Sequence, residues 1–461
     1  MVRFTVLSHA GLVVETDDVA LVVDPWIVGS CYWRSWWNLP EPPQQLIEAL
    51  RPTHVYLTHL HWDHFHGPSL RRFDPETQFI VPTFNNDRMI RDLAFLGFEN
   101  VIELEHGESL DLGPLVIQSY QFLNDSAVTI SDGKRTILDA NDCKMFGLPL
   151  QQVLGDHPAI DFVLRSHSNA SAYPYCIEDY ETLCPELRPR AAYADEFAAF
   201  AKKVGARYAI PFASNHCFLH PETLQFNGLA VKPTEVKRRF DELATAGAMG
   251  SAECVIMTPG SSWSTENGFD LIAFDYDNVE DYIDERGNRH GETMARQLEA
   301  EAEAELDEDA FVRYFERFCK AIPKLANRKI GTFEMRVVEH GVERSFGVDT
   351  TTGSVVEGTV DDPTFSIRCE ALIVNDCVHY DMFSVWTPSK RLSVRVRDRA
   401  SVGAVLTFFA LLDGLELGYL PIRKNFDRRM LRSSVRRWRE PAEAVRTLIS
   451  TKVLRRPFVP W

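Results

Sequence analysis

Paired cysteines are absent from this sequence. Its nine cysteines (Cys31, Cys143, Cys176, Cys184, Cys217, Cys254, Cys319, Cys369 and Cys377) are an odd number, and no two stand at C-x-x-C spacing. That excludes a disulfide scaffold and leads to an expectation of reduced thiols in a cytoplasmic protein. Long hydrophobic runs are also absent. The longest, Val402 to Leu412, has only about half the residues needed to span a bilayer. The first residues alternate like a strand instead of forming a charged head and an apolar block, so neither membrane insertion nor a signal peptide is expected. Positive charge is scarce: 49 Lys+Arg against 66 Asp+Glu leave −17, which argues against a nucleic-acid partner. No G-x-x-x-x-G-K-[ST], G-x-G-x-x-G or G-x-S-x-G element occurs, so kinase, dinucleotide-dehydrogenase and serine-hydrolase readings lack support.

What is present is an ordinary globular composition, 45% apolar and 25% charged over 461 residues, enough for two domains or more. Short β-rich runs at Arg3 to Leu7, Leu12 to Glu15 and Ala20 to Val23 open the chain. A mixture of helical and extended stretches follows and implies a layered α+β body. The reading divides the chain into a catalytic-type domain at 1–265, an acidic helical connector at 266–309 and a smaller C-terminal α+β region at 310–461. From Pro421 to Trp461 twelve Lys/Arg face three acids, a basic tail expected to pack on its own acidic domain.

The chemistry concentrates in THLHWDHFHG, Thr58 to Gly67, where His59, His61, Asp63 and His64 leave a buried strand within six residues. Imidazole and carboxylate are the ligands of divalent transition metals, and strand alternation points His59 and His61 to one side. Asp63 and His64 then turn toward an adjacent position. An aromatic loop, SCYWRSWWNLPEPP, carries Trp33, Trp36 and Trp37 among prolines and can wall a pocket. With Arg34, Trp62, Gln121 and Arg165 these tryptophans form the candidate substrate-binding set.

The His-Asp segment resembles the first metal motif, HxHxDH, of the metallo-β-lactamase superfamily. The resemblance implies a four-layer αββα sandwich with its site at the edge of two sheets. It also implies that His59 and His61 hold one metal with a later histidine, that Asp63 and His64 hold a second with a last histidine, and that a later aspartate bridges them. In TILDANDC, Asp142 matches the bridging aspartate, with Asp139 as the fallback. The last histidine comes from IPFASNHCFLHP, as His216 or His220. The third histidine of the first site is missing: LVIQSYQFLNDSAVTIS offers Tyr120, Gln121 and Asn124 in its place. Either one metal is held by Asp63, His64, Asp142 and His216, or His167 substitutes. His9 is read as structural or as supporting the ligands.

A closer likeness links DPWIVGSCYWRSWWNLPEPP, THLHWDHFHGPSL, ILDANDC, SNASAYP and PFASNHCFLHP. In order and character they resemble segments of the CMP-N-acetylneuraminate hydroxylase family, in which His220 aligns with a family histidine. That family carries a Rieske cluster on a C-x-H element followed by a C-x-x-H element, whereas here the two occur only singly and in reversed order, Cys217 with His220 and Cys377 with His379. The resemblance therefore implies an iron-dependent oxygenase, with one or two irons, acting on a polar small molecule with electrons from a separate protein. Asp63 and Asp142 would be its catalytic carboxylates. The alternatives are a zinc or binuclear hydrolase using a metal-bound hydroxide and a catalytically inactive binding protein.

Overall fold

The computed structural model describes residues 2–184 and 188–423, together with residues 429, 431, 432, 435, 437, 439 and 440. Two large mixed sheets form the centre. The first runs Gly268–Asp270, Ser262–Ser264, Arg3–Val6, Leu12–Glu15, Ala20–Val23, His54–Tyr56, Gln78–Pro82 and Val101–Leu104. The second runs Glu253–Cys254, Tyr208–Phe212, Phe162–Ser166, Thr136–Asn141, Asp125–Ser131, Val116–Phe122 and Glu108–Asp111. In both, hairpin neighbours pair antiparallel and crossover neighbours pair parallel.

Strand alternation explains the layering. Leu12, Val14, Leu21 and Val23 point inward against Ile117, Val128, Ile130 and Ile210 of the facing sheet. Val13 and Val22 point outward, under the helices Gln44–Ala49 and Arg88–Phe95. On the other side Leu138, Val163 and Ala209 are covered by Gly147–Asp156, Arg190–Val204 and Pro233–Thr245. The result is helix, sheet, sheet, helix: the expected αββα sandwich. The first sheet continues beyond residue 265, because Gly268–Asp270 pairs with Ser262–Ser264.

The acidic stretch folds as one helix, Val279–Ala302, which is more than a solvated connector. Ile283 and Met294 bury against Trp37, Cys217 and Leu219, and Glu301 is buried as well. The C-terminal region is a sheet ordered Ser354–Glu357, Val342–Asp349, Thr332–Glu339, Phe365–Glu370 and Ser393–Val396. Its core is aromatic: Phe315, Phe318, Phe333 and Phe365 surround Phe408. Phe408 belongs to Val402–Glu416, the greasiest segment of the chain, and burial in this core is why it is apolar. No helix among the described residues is long and apolar enough to cross a membrane, and all nine cysteines are free and buried. Most of the basic tail lies outside the described residues. Within them, Arg432 meets Glu105 at 2.8 Å, and Arg429 pairs with Glu103 and reaches the Phe84 carbonyl.

The same helix supplies a test of packing. Burial pushes the Asp413 carboxyl up to about 7. A raised acid favours the folded chain most below its ordinary unfolded value near 4, and that contribution is lost as pH climbs toward 7. Asp413→Asn removes the titration, so its stability advantage over the parent should grow between pH 5 and pH 7, by up to about 1.4 kcal/mol per pH unit. Urea unfolding at several pH values measures this directly, and parallel curves for the two proteins would contradict it.

Candidate metal centre

Strand ends deliver the site. Ala20–Val23 and His54–Tyr56 run parallel in one sheet, Thr136–Asn141 and Tyr208–Phe212 in the same direction in the other. Asp24, the His59 to His64 loop, Asp142 and His216 follow those ends, at the carboxyl rim where parallel strands place functional groups. Asp24 and Asn141 adopt left-handed backbone, φ 44° and 47°, which Asp and Asn tolerate better than bulkier residues. A register shift between Asp139 and Asn141 turns the chain so that Asp142 faces the site and Asp139 stays inside.

Asp24 organises the centre from below. Its Oδ1 accepts from the Thr58 backbone N–H at 2.9 Å. Its Oδ2 accepts from Thr58 Oγ1 at 2.7 Å and Asn141 Nδ2 at 2.7 Å, and lies 2.8 Å from His64 Nδ1. That contact fixes the His64 ring and leaves Nε2 aimed forward, 3.3 Å from Asp63 Oδ2 and 3.6 Å from Asp142 Oδ2. His9 Nε2 lies 3.0 Å from the same Asp63 oxygen, and Tyr32 donates its hydroxyl to Asp63 Oδ1. Two groups are close enough to share an ion: His9, Asp63 and His64, and His59, His64 and Asp142.

Beside them, His59 Nε2 is 2.8 Å from His61 Nδ1, and His59 Nδ1 is 3.3 Å from Asp125 Oδ1. Asp125 begins the strand Asp125–Ser131 in the stretch where the third histidine is missing. No motif in that stretch marks this carboxylate, which stands next to Asn124. His216 is buried, and its ring lies flat on Trp36 at a centroid distance of 3.5 Å, with His9 at 5.4 Å.

The electrostatics are those of a cation site. Burial opposes charge on Asp63, but His64 and His9 overcome it and hold the carboxyl well below its ordinary range. Burial likewise opposes charge on His64, and Asp63 with Asp24 raises it well above the ordinary imidazole value. Burial and then Asp142 push Asp125 well up. Burial and the neighbouring His64 and His61 push His59 well down. Buried His64 Nε2 and His216 Nδ1 have no hydrogen-bond partner. A neutral His59, a His64 whose proton a cation would replace, close carboxylates and ring nitrogens without a hydrogen bond together fit a divalent metal.

The other candidates stand outside the two groups close enough to share an ion. His220 faces Glu301 at 3.8 Å, and burial and then Arg391 push it down to about 3. His167 is buried near His9, and burial pushes it down to about 3. Asp139 is buried without partners. Trp37 packs on His290, Gln121 Nε2 donates to the Leu104 carbonyl, and Arg165 pairs with Glu196 over the Phe200 ring. Trp33, Arg34 and Trp62 line one cavity of about 510 Å3 behind Tyr32.

The helix, sheet, sheet, helix layering is that of the metallo-β-lactamase fold. No family model matches the chain. A stretch of 72 residues, 15% of this chain and 12% of the relative, is 39% identical to the cytidine monophosphate-N-acetylneuraminic acid hydroxylase of Pan troglodytes. Over 241 residues the chain is 28% identical to a Mycolicibacterium smegmatis protein named for a Rieske 2Fe-2S centre, covering 49% of this chain and 46% of that one. The chain thus spans about half the length of the longer-matching curated relatives. Among solved structures it is similar to CmlA, a diiron β-hydroxylase from Streptomyces venezuelae, at 18% identity and a TM-score of 0.40, covering 56% of this chain and 53% of CmlA.

Proposed function

We propose that this chain is an iron-dependent oxygenase of the hydroxylase type, acting on a polar small molecule with electrons from a separate protein. The observation that carries the reading is that His59, His64 and Asp142 stand close enough to share an ion, with Asp125 against His59 Nδ1. Two histidines and one carboxylate are the ligand set of non-haem iron oxygenases, whereas a third imidazole would suit zinc. His9 and Asp63 meet the same His64 in the other group close enough to share an ion, with His216 adjoining His9. Iron bound there would supply oxygen activation with external electrons. The hydroxylase relative and the relative named for a Rieske centre support the redox class and a separate donor.

The chain's own residues set the conditions. Asp24 holds the His64 ring, and the Tyr32 hydroxyl occupies Asp63 Oδ1, leaving Oδ2 toward His64 and His9. The Asp142 side chain is 21% exposed while His64 is closed off, so the substrate approaches from the Asp142 side and water is excluded from behind.

The test is elemental analysis of protein purified without chelator or added metal, followed by oxygen uptake with a supplied reductant. Iron at one or two per chain and reductant-dependent oxygen consumption are expected. Zinc alone, with turnover of ester or phosphodiester substrates and no oxygen uptake, would replace this reading with the hydrolase.

A further inference from the structure

Tyr32, Trp33 and Arg34 are consecutive residues with left-handed backbone, φ 54°, 51° and 65°. L-residues avoid such a turn because Cβ crowds the following carbonyl oxygen, so its surroundings must hold it. They do: Tyr32 donates to Asp63, Trp33 Nε1 donates to Asp376 at 2.7 Å, and Arg34 pairs with buried Glu301. The product of the strained turn is an aromatic wall. Trp62 lies parallel to Tyr32 at 6.1 Å and tilted against Trp33 at 4.8 Å. These rings form one side of the 510 Å3 cavity, and Met382 and Val385 of the C-terminal region form the other. Phe95 and Tyr380, both well exposed, stand at its mouth.

The rim is cationic. Arg71 lines the cavity and makes no ion pair with any described residue. Through Arg88 the cavity continues into a groove lined by six Lys/Arg and four carboxylates, a local excess of positive charge on a chain of net charge −17. Arg423, at the far end of that groove, is likewise unpaired among the described residues.

We propose that this cavity binds an organic anion with a flat aromatic body, its ring against Trp62 and its anionic group at Arg71. Flat apolar walls favour a ring, and an unpaired guanidinium at the rim favours an oxyanion. No wall of the cavity is a metal donor, so the site stands whichever metal the centre holds.

The test is calorimetric titration of the full-length protein, with and without metal, using para-nitrobenzenesulfonate as the probe. Saturable one-to-one binding is expected. Two controls, the neutral ring para-nitrobenzyl alcohol and the ring-free anion methanesulfonate, should each bind at least about tenfold more weakly. Arg71→Glu, an exposed substitution, should weaken the probe by about tenfold or more, and Met382→Trp should fill the cavity and abolish binding with metal content unchanged. Equal binding of either control, no binding of the probe, or an unchanged affinity in Arg71→Glu would overturn the proposal. The Arg71 result decides the matter if Met382→Trp does not fold.

Discussion

Asp142→Ala is expected to release the metal that His59, His64 and Asp142 stand close enough to share. Bound iron should be lost, and oxygenase turnover should drop by about 100-fold, as for other groups that hold or orient metal ligands. Asp142 supplies the carboxylate of that two-histidine, one-carboxylate set. Asp142→His tests the same point from the other side. An imidazole there should restore metal uptake and shift selection toward zinc, because nitrogen-rich sites suit zinc. Full iron retention in Asp142→Ala would mean that this carboxylate is not a ligand, and the oxygenase reading would lose its main support.

His64→Ala should have the largest effect on both metal and fold. His64 lies 2.8 Å from Asp24 and within 3.6 Å of Asp63 and Asp142, and His64, Asp24 and Asp63 are buried at the rim of the two sheets. Removing the imidazole leaves Asp24 one partner short and the two outer carboxylates without their neighbouring positive group. Breaking a buried charge pair in this way costs about 3–5 kcal/mol. Metal analysis should show loss of bound metal, because His64 belongs to both groups close enough to share an ion, and thermal unfolding in chelator should show the destabilisation.

The sign with pH follows from the raised His64 value. In chelated parent protein the contribution of this imidazole is fully present below its ordinary value near 6.5 and fades as pH rises through the raised one. The His64→Ala variant should lack that fade. Metal loading must also displace the His64 proton, so uptake near neutral pH should release acid. A chelated variant as stable as the parent at pH 6 would contradict the placement of His64 at the hub.

Much of this was legible in the chain. The short apolar β-rich runs at Leu12 to Glu15 and Ala20 to Val23 foretold strands, and the structure buries both faces because helices cover one and a second sheet covers the other. THLHWDHFHG announced its chemistry because ligand types spaced by two along a strand exit share a side whatever the rest of the fold does. Asp142 could be preferred over Asp139 from the motif, and the register shift that separates them shows why.

Other features lay outside any local pattern. Asp125 carries no motif, and it comes near His59 only because the Val116–Phe122 and Asp125–Ser131 hairpin crosses to the rim of the first sheet. His9 looked structural because it stands far from the other donors in sequence, yet it lies against Asp63. His216 and His220 sit four residues apart, and only the turn after His216–Phe218 sends one toward His9 and the other toward Glu301. Trp33 and Trp62 became one wall through the left-handed turn at 32–34, a backbone choice that no residue type there favours.

By itself, then, the sequence determined a layered α+β body and a His-Asp segment whose resemblance implied the sandwich, since apolar runs and ligand spacing act over a few residues and need no distant partner. Only the tertiary structure brought Asp125 against His59, His216 toward His9, and Trp33 with Trp62 to one cavity wall. Those are meetings between segments tens to hundreds of residues apart, fixed by how the sheets pack and the loops turn.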